Sequence, residues 1–589
     1  MVHVGLDFGS TNTLVSIYDH EKGQPDIVAV QGTESYTIPS YVSYNQKNGK
    51  YEFGAKARAR MGKKGYTVFR AFKMLLREND EKKLAEWNYD AENTPEQITK
   101  LFLENILTDV LSNGNEKEIG TLTVGIPEIW RKAGDRQKRN ASNLVREICE
   151  SLHLAKEVKI VTEPEAASAY FAYKYVKSKG KNFKGHILVV DFGGGTLDIT
   201  LSNVKPGSNG SHQTKYDMQI VTEERTGAGE NAVDELSTIL KVGNGGILYM
   251  ESVIDASLKA CGIDPVQEKN LRFDKYSKLV RELERSIILS SADITKKFSA
   301  CQTIGIYSED SLDVLDNKAL DRFEYEGEVI KVTYGTMARV YRDVIADTFE
   351  SQLRYIMQYM DRENIVYRSG NSDTFQLALV GGFGNFYLVR EHLERIMSVG
   401  AYGEIIVGAN ECEKAIAHGT ALYANDIVGH KYTLPYSFGI RLQDPQGQNV
   451  DCYAFHYREE IEPNKICFVK YKGQPVPIKN RYNVFNKFII KEDRDDSNVE
   501  PDVVRLYDEY VEKLRGVSNN SDAFGGSTRL FMAFSMDEND RLTIYVYECE
   551  RQKYGGSALD EEAIKKRTPR IVALDDIKEL FPPTADLDF

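Results

Sequence analysis

Two short strings in this chain join a carboxylate to a turn of small residues at the end of an apolar run. Val4 to Thr13 reads VGLDFGSTNT, and Val189 to Thr196 reads VVDFGGGT. A turn that approaches a polyphosphate closely needs residues without bulky side chains, so that backbone N–H groups can face the anionic oxygens. Gly9, Ser10, Thr11 and Asn12 meet that need in the first string, and Gly193, Gly194, Gly195 and Thr196 in the second. Magnesium takes hard oxygen ligands and keeps several of its waters, so one or two carboxylates beside the phosphates suffice. Asp7 and Asp191 stand at equivalent strand ends to supply them. Either string alone reads as a structural turn; two copies of the same strand-Asp-Phe-Gly arrangement point to one shared polyphosphate.

The surrounding pattern shows what must position these turns. Runs rich in Val, Ile and Leu alternate with longer segments of helical period, as in an α/β domain. Each string is followed by a second apolar strand, Leu14 to Tyr18 and Leu197 to Val204, so both are expected to be hairpins. A third strand, Leu377 to Val380, also ends in glycines, Gly381 and Gly382, and leads into a helix. Thr94 starts a clear helix: it caps, Pro95 suits the first position, Gln97 completes a capping box, and Ile98, Leu101, Phe102, Ile106, Leu107 and Val110 form one apolar face.

The paired strings resemble the two phosphate motifs of the actin/hexokinase/heat-shock-70 superfamily, and the heat-shock-70 (DnaK-type) chaperone branch in particular. Between them, TVGIPEIWRKAGDRQKRNA from Thr123, with Pro127, Arg136 and Gln137, and VTEPEAASAY from Val161 are similar to that branch's first connecting segment. LVGGFGNFYLVRE from Leu379 resembles its adenosine motif, and ECEKAIAHGTALYA from Glu411 its second connecting helix. The resemblance implies an actin-like ATPase fold, two lobes with duplicated ribonuclease-H-like subdomains, over residues 1–425. It implies ATP/ADP and Mg2+ as ligands. Asp7 and Asp191 would hold the magnesium through water, and the two hairpins would cradle the β- and γ-phosphates.

The same resemblance assigns roles that the residues alone do not. Lys73, in FRAFKMLLRE, sits where the family has a lysine that reaches the γ-phosphate; Glu163 and Asp198 would position or activate the attacking water, beside Thr196. Without it, Lys73 reads as a solvated helix lysine, Glu163 as a carboxylate favoured at a helix N-terminus, and Asp198 as a residue on a half-exposed strand. The base site departs from the family: ELERSIILSS from Glu282 supplies Glu284, Ser286 and Ser290 but puts Ile287 near the usual basic stacking position. After Gly381 and Gly382, Phe383 and Asn385 replace the commoner Ser and Arg; Phe383 offers a ring to a purine and, equally, to the core. GAGENAVDE from Gly227 resembles the segment that meets the ribose, with Gly229 and Glu230 as contacts.

Past Asp426 the periodicity changes. A linker of residues 426–436 is followed by alternating strands over 437–550, such as Leu530-Met532-Phe534 and Leu542-Ile544-Val546 around a turn at Asp537 to Asp540. LPYSFGIRL and RLFMAFSMDENDRLTIYVYE resemble the start and end of the family's β substrate domain. A β-sandwich-like partner-binding domain is expected, with an acidic insertion over about 491–527 whose middle, Val504 to Leu514, has helical character. Residues 551–589 read as a short polar tail, with one weak helical turn around Asp576 to Leu580 and no helical lid.

The chain has 589 residues and a formal charge of −13, which argues against a nucleic-acid partner because phosphate backbones need a basic face. Seven cysteines without a CxxC pair suit reduced thiols and a cytoplasmic setting. The N-terminus enters a strand at once, and no run of about 18 apolar residues suggests a membrane span. Three functions are compatible with these features. The first is a Mg-dependent, ATP-hydrolysing chaperone acting on unfolded polypeptide or a partner through its β domain, with or without a co-chaperone. The second is a sugar or carboxylate kinase of the same fold. The third is a low-turnover nucleotide-sensing scaffold.

Overall fold

The computed structural model describes residues 1–30, 36–76, 78, 80–131, 141–206, 214–228, 245–300, 309–367, 373–397, 411, 413–434, 436–443, 448–457, 459–478, 488–492, 502–504, 528–537, 541–550 and 561–576. Two compact units emerge: Met1–Trp130 with Leu144–His430, and Arg131–Asn143 with Lys431–Phe589. The content is mixed α/β with several sheets, consistent with an actin-like ATPase fold.

In the first unit, one pairing scheme is built twice. Strands β1 (Val2–Phe8) and β2 (Asn12–Asp19) form an antiparallel hairpin. On its other side β1 pairs parallel with β4 (Ile119–Ile126), which pairs parallel with β5 (Ala155–Thr162); β3 (Tyr66–Arg70) belongs to a separate three-stranded sheet. The second copy has β6 (Gly185–Phe192) antiparallel to β7 (Leu197–Lys205), β7 antiparallel to β8 (Gln219–Ala228), and β6 parallel to β9 (Phe375–Val380).

The second sheet is covered on both faces, which explains its near-continuous apolar strands. Leu188, Val190 and Phe192 of β6, with Leu377 and Leu379 of β9, point into one core cluster. Ile187 and Val189, with Ala378 and Val380, point into another.

Six helices serve the site. Helix α1 (Phe72–Leu75) follows β3, and α2 (Pro95–Asn113) starts as its sequence predicts, with the Thr94 hydroxyl accepting from the Gln97 amide at 3.2 Å. Helix α3 (Glu163–Lys179) leaves β5 through a capping box: the Glu165 amide donates to Thr162 Oγ1 at 3.4 Å, and the Thr162 amide donates to Glu165 Oε2 at 3.1 Å. Helices α4 (Gly246–Ala260) and α5 (Pro265–Leu289) lie on the second half. All ten residues of α6 (Ala415–Ala424) are buried. It lies against β1 and α3 with a glycine at each contact. A Cβ on Gly5 would stand 2.2 Å from the Ala421 nitrogen, and one on Gly419 would stand 1.8 Å from the Ala166 carbonyl oxygen.

The second unit is dominated by antiparallel strands. One sheet runs β11 (Asn449–Phe455), β10 (Tyr436–Gln443), β12 (Phe488–Glu492), β13 (Asp502–Val504); another contains β14 (Thr528–Met536), β15 (Arg541–Glu550) and β16 (Arg570–Asp576). Phe438 and Phe488 from the first and Phe534 and Ile544 from the second share one core cluster.

Two features differ from the sequence expectation. The segment read as a polar tail contributes β16, which pairs with β15, and a helical turn at Glu561–Lys565 whose Ile564 is fully buried. One apolar side chain and an available strand edge stabilise that segment, and neither leaves a periodic signal. Strands β12 and β13 occupy parts of the acidic insertion; the helix expected over Val504–Leu514 lies, beyond Val504, outside the described residues, as does the turn expected after Asp576. Among the described residues no helix is long and apolar enough to cross a membrane.

Candidate nucleotide site

The two hairpin tips are tight for reasons set by their own residues. In the first, the Ser40 amide donates to the Thr11 carbonyl at 2.8 Å and the Ser40 hydroxyl to the Gly9 carbonyl at 2.7 Å. A side chain on Gly9 would collide with the Asn12 carbonyl, its Cβ only 2.0 Å from the oxygen. In the second, the Gly193 amide closes onto the Thr196 carbonyl at 3.0 Å.

The tips meet. A Cβ on Gly194 would lie 2.2 Å from Thr11 Oγ1, and one on Gly195 would lie 2.9 Å from Ser10 Oγ and 2.5 Å from Met74 Sδ. Thr11 Oγ1 is buried and has no hydrogen-bond partner.

Behind the tips, the register puts the acids together. Asp7 pairs across to Gly125 of β4, and Asp191 pairs across to Asp198 of β7 and Val380 of β9. Gly381 has φ +82°, and a Cβ there would stand 2.5 Å from Asp191 Oδ1, so a glycine is required where β9 ends beside that carboxylate. Glu163 is the first residue of α3, delivered by the capped turn after β5. Lys73 Nζ lies 2.5 Å from Glu163 Oε1, with the Phe8 and Trp130 rings 5.7 and 5.5 Å away.

Asp7, Glu163 and Asp191 thus gather around Lys73, and Asp198 adds its charge beside Asp191. Burial, then the charge of Glu163, pushes the Asp7 carboxyl up to about 8, with Lys73 opposing. Asp191 is held well above the ordinary carboxylate range by burial, then Glu163, Asp198 and Asp7. Its Oδ2 is buried without a hydrogen-bond partner. Among the described residues no group of three His, Cys, Asp or Glu is arranged to hold a metal ion directly.

The residues expected around the base have these surroundings. Glu284 lines a small cavity with Ser10 and Thr11, and burial raises its pKa. Ser286 bonds Asp321, Ser290 ends α5, Gly382 faces open space, and Asn385 Nδ2 donates to Glu413 at 3.4 Å. Phe383 packs into an aromatic group, its ring centroid 5.0 Å from Phe192, 5.2 Å from Tyr249 and 5.5 Å from Phe386. Gly229 and Glu230, like Arg136 and Gln137, lie outside the described residues.

A different glycine pair meets the second hairpin. At the start of α4 the Gly246 amide donates to the Gly193 carbonyl at 3.1 Å and the Ile247 amide to the Gly194 carbonyl at 2.8 Å. A Cβ on Gly245 would be 2.5 Å from the Gly193 carbonyl oxygen. The signal in the sequence is a Gly-Gly step directly before an apolar helix, in NGGILYM.

Residues 3–224 match the family model described as Hsp70 protein. The N-terminal region of this chain is therefore similar to Hsp70 proteins. The chain is similar to the chaperone protein DnaK of Mycoplasmoides gallisepticum (strain R(low / passage 15 / clone 2)), 26% identical over 209 residues, covering 35% of this chain and 31% of the relative. Heat shock cognate 70 kDa protein 3 of Dictyostelium discoideum is 23% identical over 231 residues, covering 35% and 34%, and the chaperone protein DnaK of Metamycoplasma hominis 28% over 205 residues, covering 35% and 31%. The chain therefore spans about a third of the length of the curated relatives it matches. The Hsp70-type stretch contains both hairpins, Lys73, Glu163, Asp191 and Asp198; Glu284, Ser286, Ser290 and Gly381 to Asn385 fall beyond it.

Proposed function

We propose that this chain binds ATP between the two halves of its first unit, hydrolyses it with magnesium, and couples nucleotide state to the binding of a polypeptide or partner protein as an Hsp70-like chaperone. One observation carries the proposal: four carboxylates and one lysine converge where two small-residue hairpins touch. That arrangement suits phosphoryl transfer, which depends on placement and charge neutralisation more than on covalent help.

In this mechanism the backbone amides of Gly9 to Asn12 and Gly194 to Thr196 receive the phosphate oxygens, while the Gly193 amide holds its own turn closed. Lys73 faces the terminal phosphoryl group, held against Glu163, and Glu163 or Asp198 orients a water and takes its proton. Asp7 and Asp191 are the residues that would hold hydrated magnesium, and the unpartnered Asp191 Oδ2 fits that role. The ion, when bound, supplies charge neutralisation at the phosphates. The chaperone element of the proposal comes from the names of the relatives and from the strand-rich second unit.

Titration calorimetry with ATP and ADP, with and without Mg2+, tests the first step: Mg-dependent heat is expected, and its absence for both nucleotides sinks the proposal. Turnover with and without an unfolded peptide tests the second. Stimulation is expected; no stimulation together with no peptide binding removes the chaperone function and leaves the nucleotide site.

A further inference from the structure

We infer that Arg70 is a positioning residue whose anchorage in the second half of the cleft fixes where Lys73 stands, so that closing the halves and placing the lysine are one event. Its functional meaning rests on the nucleotide site proposed above; its structural content does not.

Arg70 is the last residue of β3, in the first half, yet its guanidinium ends among helices of the second. Nη2 donates to Glu251 Oε1 of α4 at 3.1 Å and to Ser277 Oγ of α5 at 3.2 Å. The guanidinium lies over the Trp87 ring at 4.7 Å and the Phe273 ring at 5.7 Å. The side chains of Arg70 and Glu251 are 8% and 2% exposed, so each is the other's charge compensation away from water. The Arg70 carbonyl is fixed as well, accepting from the Tyr89 hydroxyl at 2.8 Å.

The residues directly after Arg70 turn that anchorage into leverage. Ala71, buried and not glycine, has φ 57° in the left-handed region, a conformation that persists only when its neighbours hold it. It is the cap of α1: the Leu75 amide donates to its carbonyl at 3.1 Å. Lys73 comes two residues later, with its Nζ on Glu163. Arg70, Ala71 and Ser277 also line the cavity reached by Ser10 and Thr11, so the clasp forms a wall beside the first hairpin. Withdrawing Arg70 from Glu251 frees Ala71 to relax to an ordinary backbone angle, and α1 moves with it.

The test uses the full chain with Arg70→Met, Arg70→Lys, Glu251→Gln and Ser277→Ala. Hydrogen exchange without nucleotide reads the amides of Leu75 and Leu76, and steady-state turnover reads kcat and KM. Expected for Arg70→Met and Glu251→Gln are exchange faster by about tenfold at those amides and kcat lower by about tenfold with KM little changed, with partial rescue in Arg70→Lys. Variants that melt cooperatively yet keep exchange and kcat within about twofold of the parent overturn the inference. Should Arg70→Met fail to fold, Glu251→Gln and Ser277→Ala decide it. If the parent binds no nucleotide, the exchange measurement still settles the clasp, and only the nucleotide site falls.

Discussion

Glu163 Oε1 and Lys73 Nζ are 2.5 Å apart, and their side chains are only 8% and 2% exposed. Removing one partner of a buried pair strands the other, at a cost of about 3–5 kcal/mol. Lys73→Met should lower unfolding stability by about 3 kcal/mol, Glu163→Gln should cost less because Lys73 keeps Asp7 and Asp191 beside it, and the double variant should lose less than the sum. Urea denaturation of the four proteins checks this. Turnover in each single variant should fall by about a hundredfold or more, and unchanged turnover in both would misplace the catalytic roles.

Asp7 makes a pH-dependent prediction. Its carboxyl is raised to about 8 by burial and by Glu163, so between about 4 and 8 the folded protein holds a proton that the unfolded chain has released. The contribution to stability is complete below the ordinary carboxylate value and is lost as pH rises through the folded one. A divalent ion beside Asp7 and Asp191 favours the ionised form of both, so binding of Mg-ATP at pH 7 should release protons. Calorimetry in two buffers of different ionisation enthalpy measures it; heats that do not depend on the buffer would contradict protonated Asp7.

Gly194 and Thr11 bring the hairpins into contact, and the 2.2 Å separation that a Cβ would have from Thr11 Oγ1 leaves no room for alanine. Gly194→Ala should push the tips apart by a fraction of an ångström and weaken ATP binding or turnover by about a hundredfold, with the melting temperature largely kept. A variant that binds and turns over ATP normally would mean that the tips need not touch.

Phe383 is a packing residue by its contacts with Phe192, Tyr249 and Phe386. Phe383→Ala should cost about 2–3 kcal/mol of stability and leave the ratio of ATP to GTP affinities unchanged. A shift in that ratio with stability intact would restore the ring to the base site.

The hairpins are legible in the sequence because their chemistry is local: an apolar strand, an aspartate and small residues lie within ten positions. Glu163 is placed by its capping box and Pro164, but its pairing with Lys73, 90 residues away, is visible only in the structure. Gly245–Gly246 goes unnoticed in the sequence because its role, backbone hydrogen bonding to Gly193 and Gly194 some fifty positions earlier, uses no side chain. Arg70 and Glu251 are 181 positions apart and leave no periodic trace. Strand β16 escapes a reading by residue type because its pairing with β15 is a backbone register that the sequence does not mark.

Helix α6 touches β1 at Gly5 and α3 at Gly419, main chain against main chain. At Gly5 the Thr420 hydroxyl stands beside the Ala421 backbone, 2.6 Å from where a Cβ would be, so that crossing has no spare room. Both positions are bare because a methyl group at either would drive the helix off its neighbour.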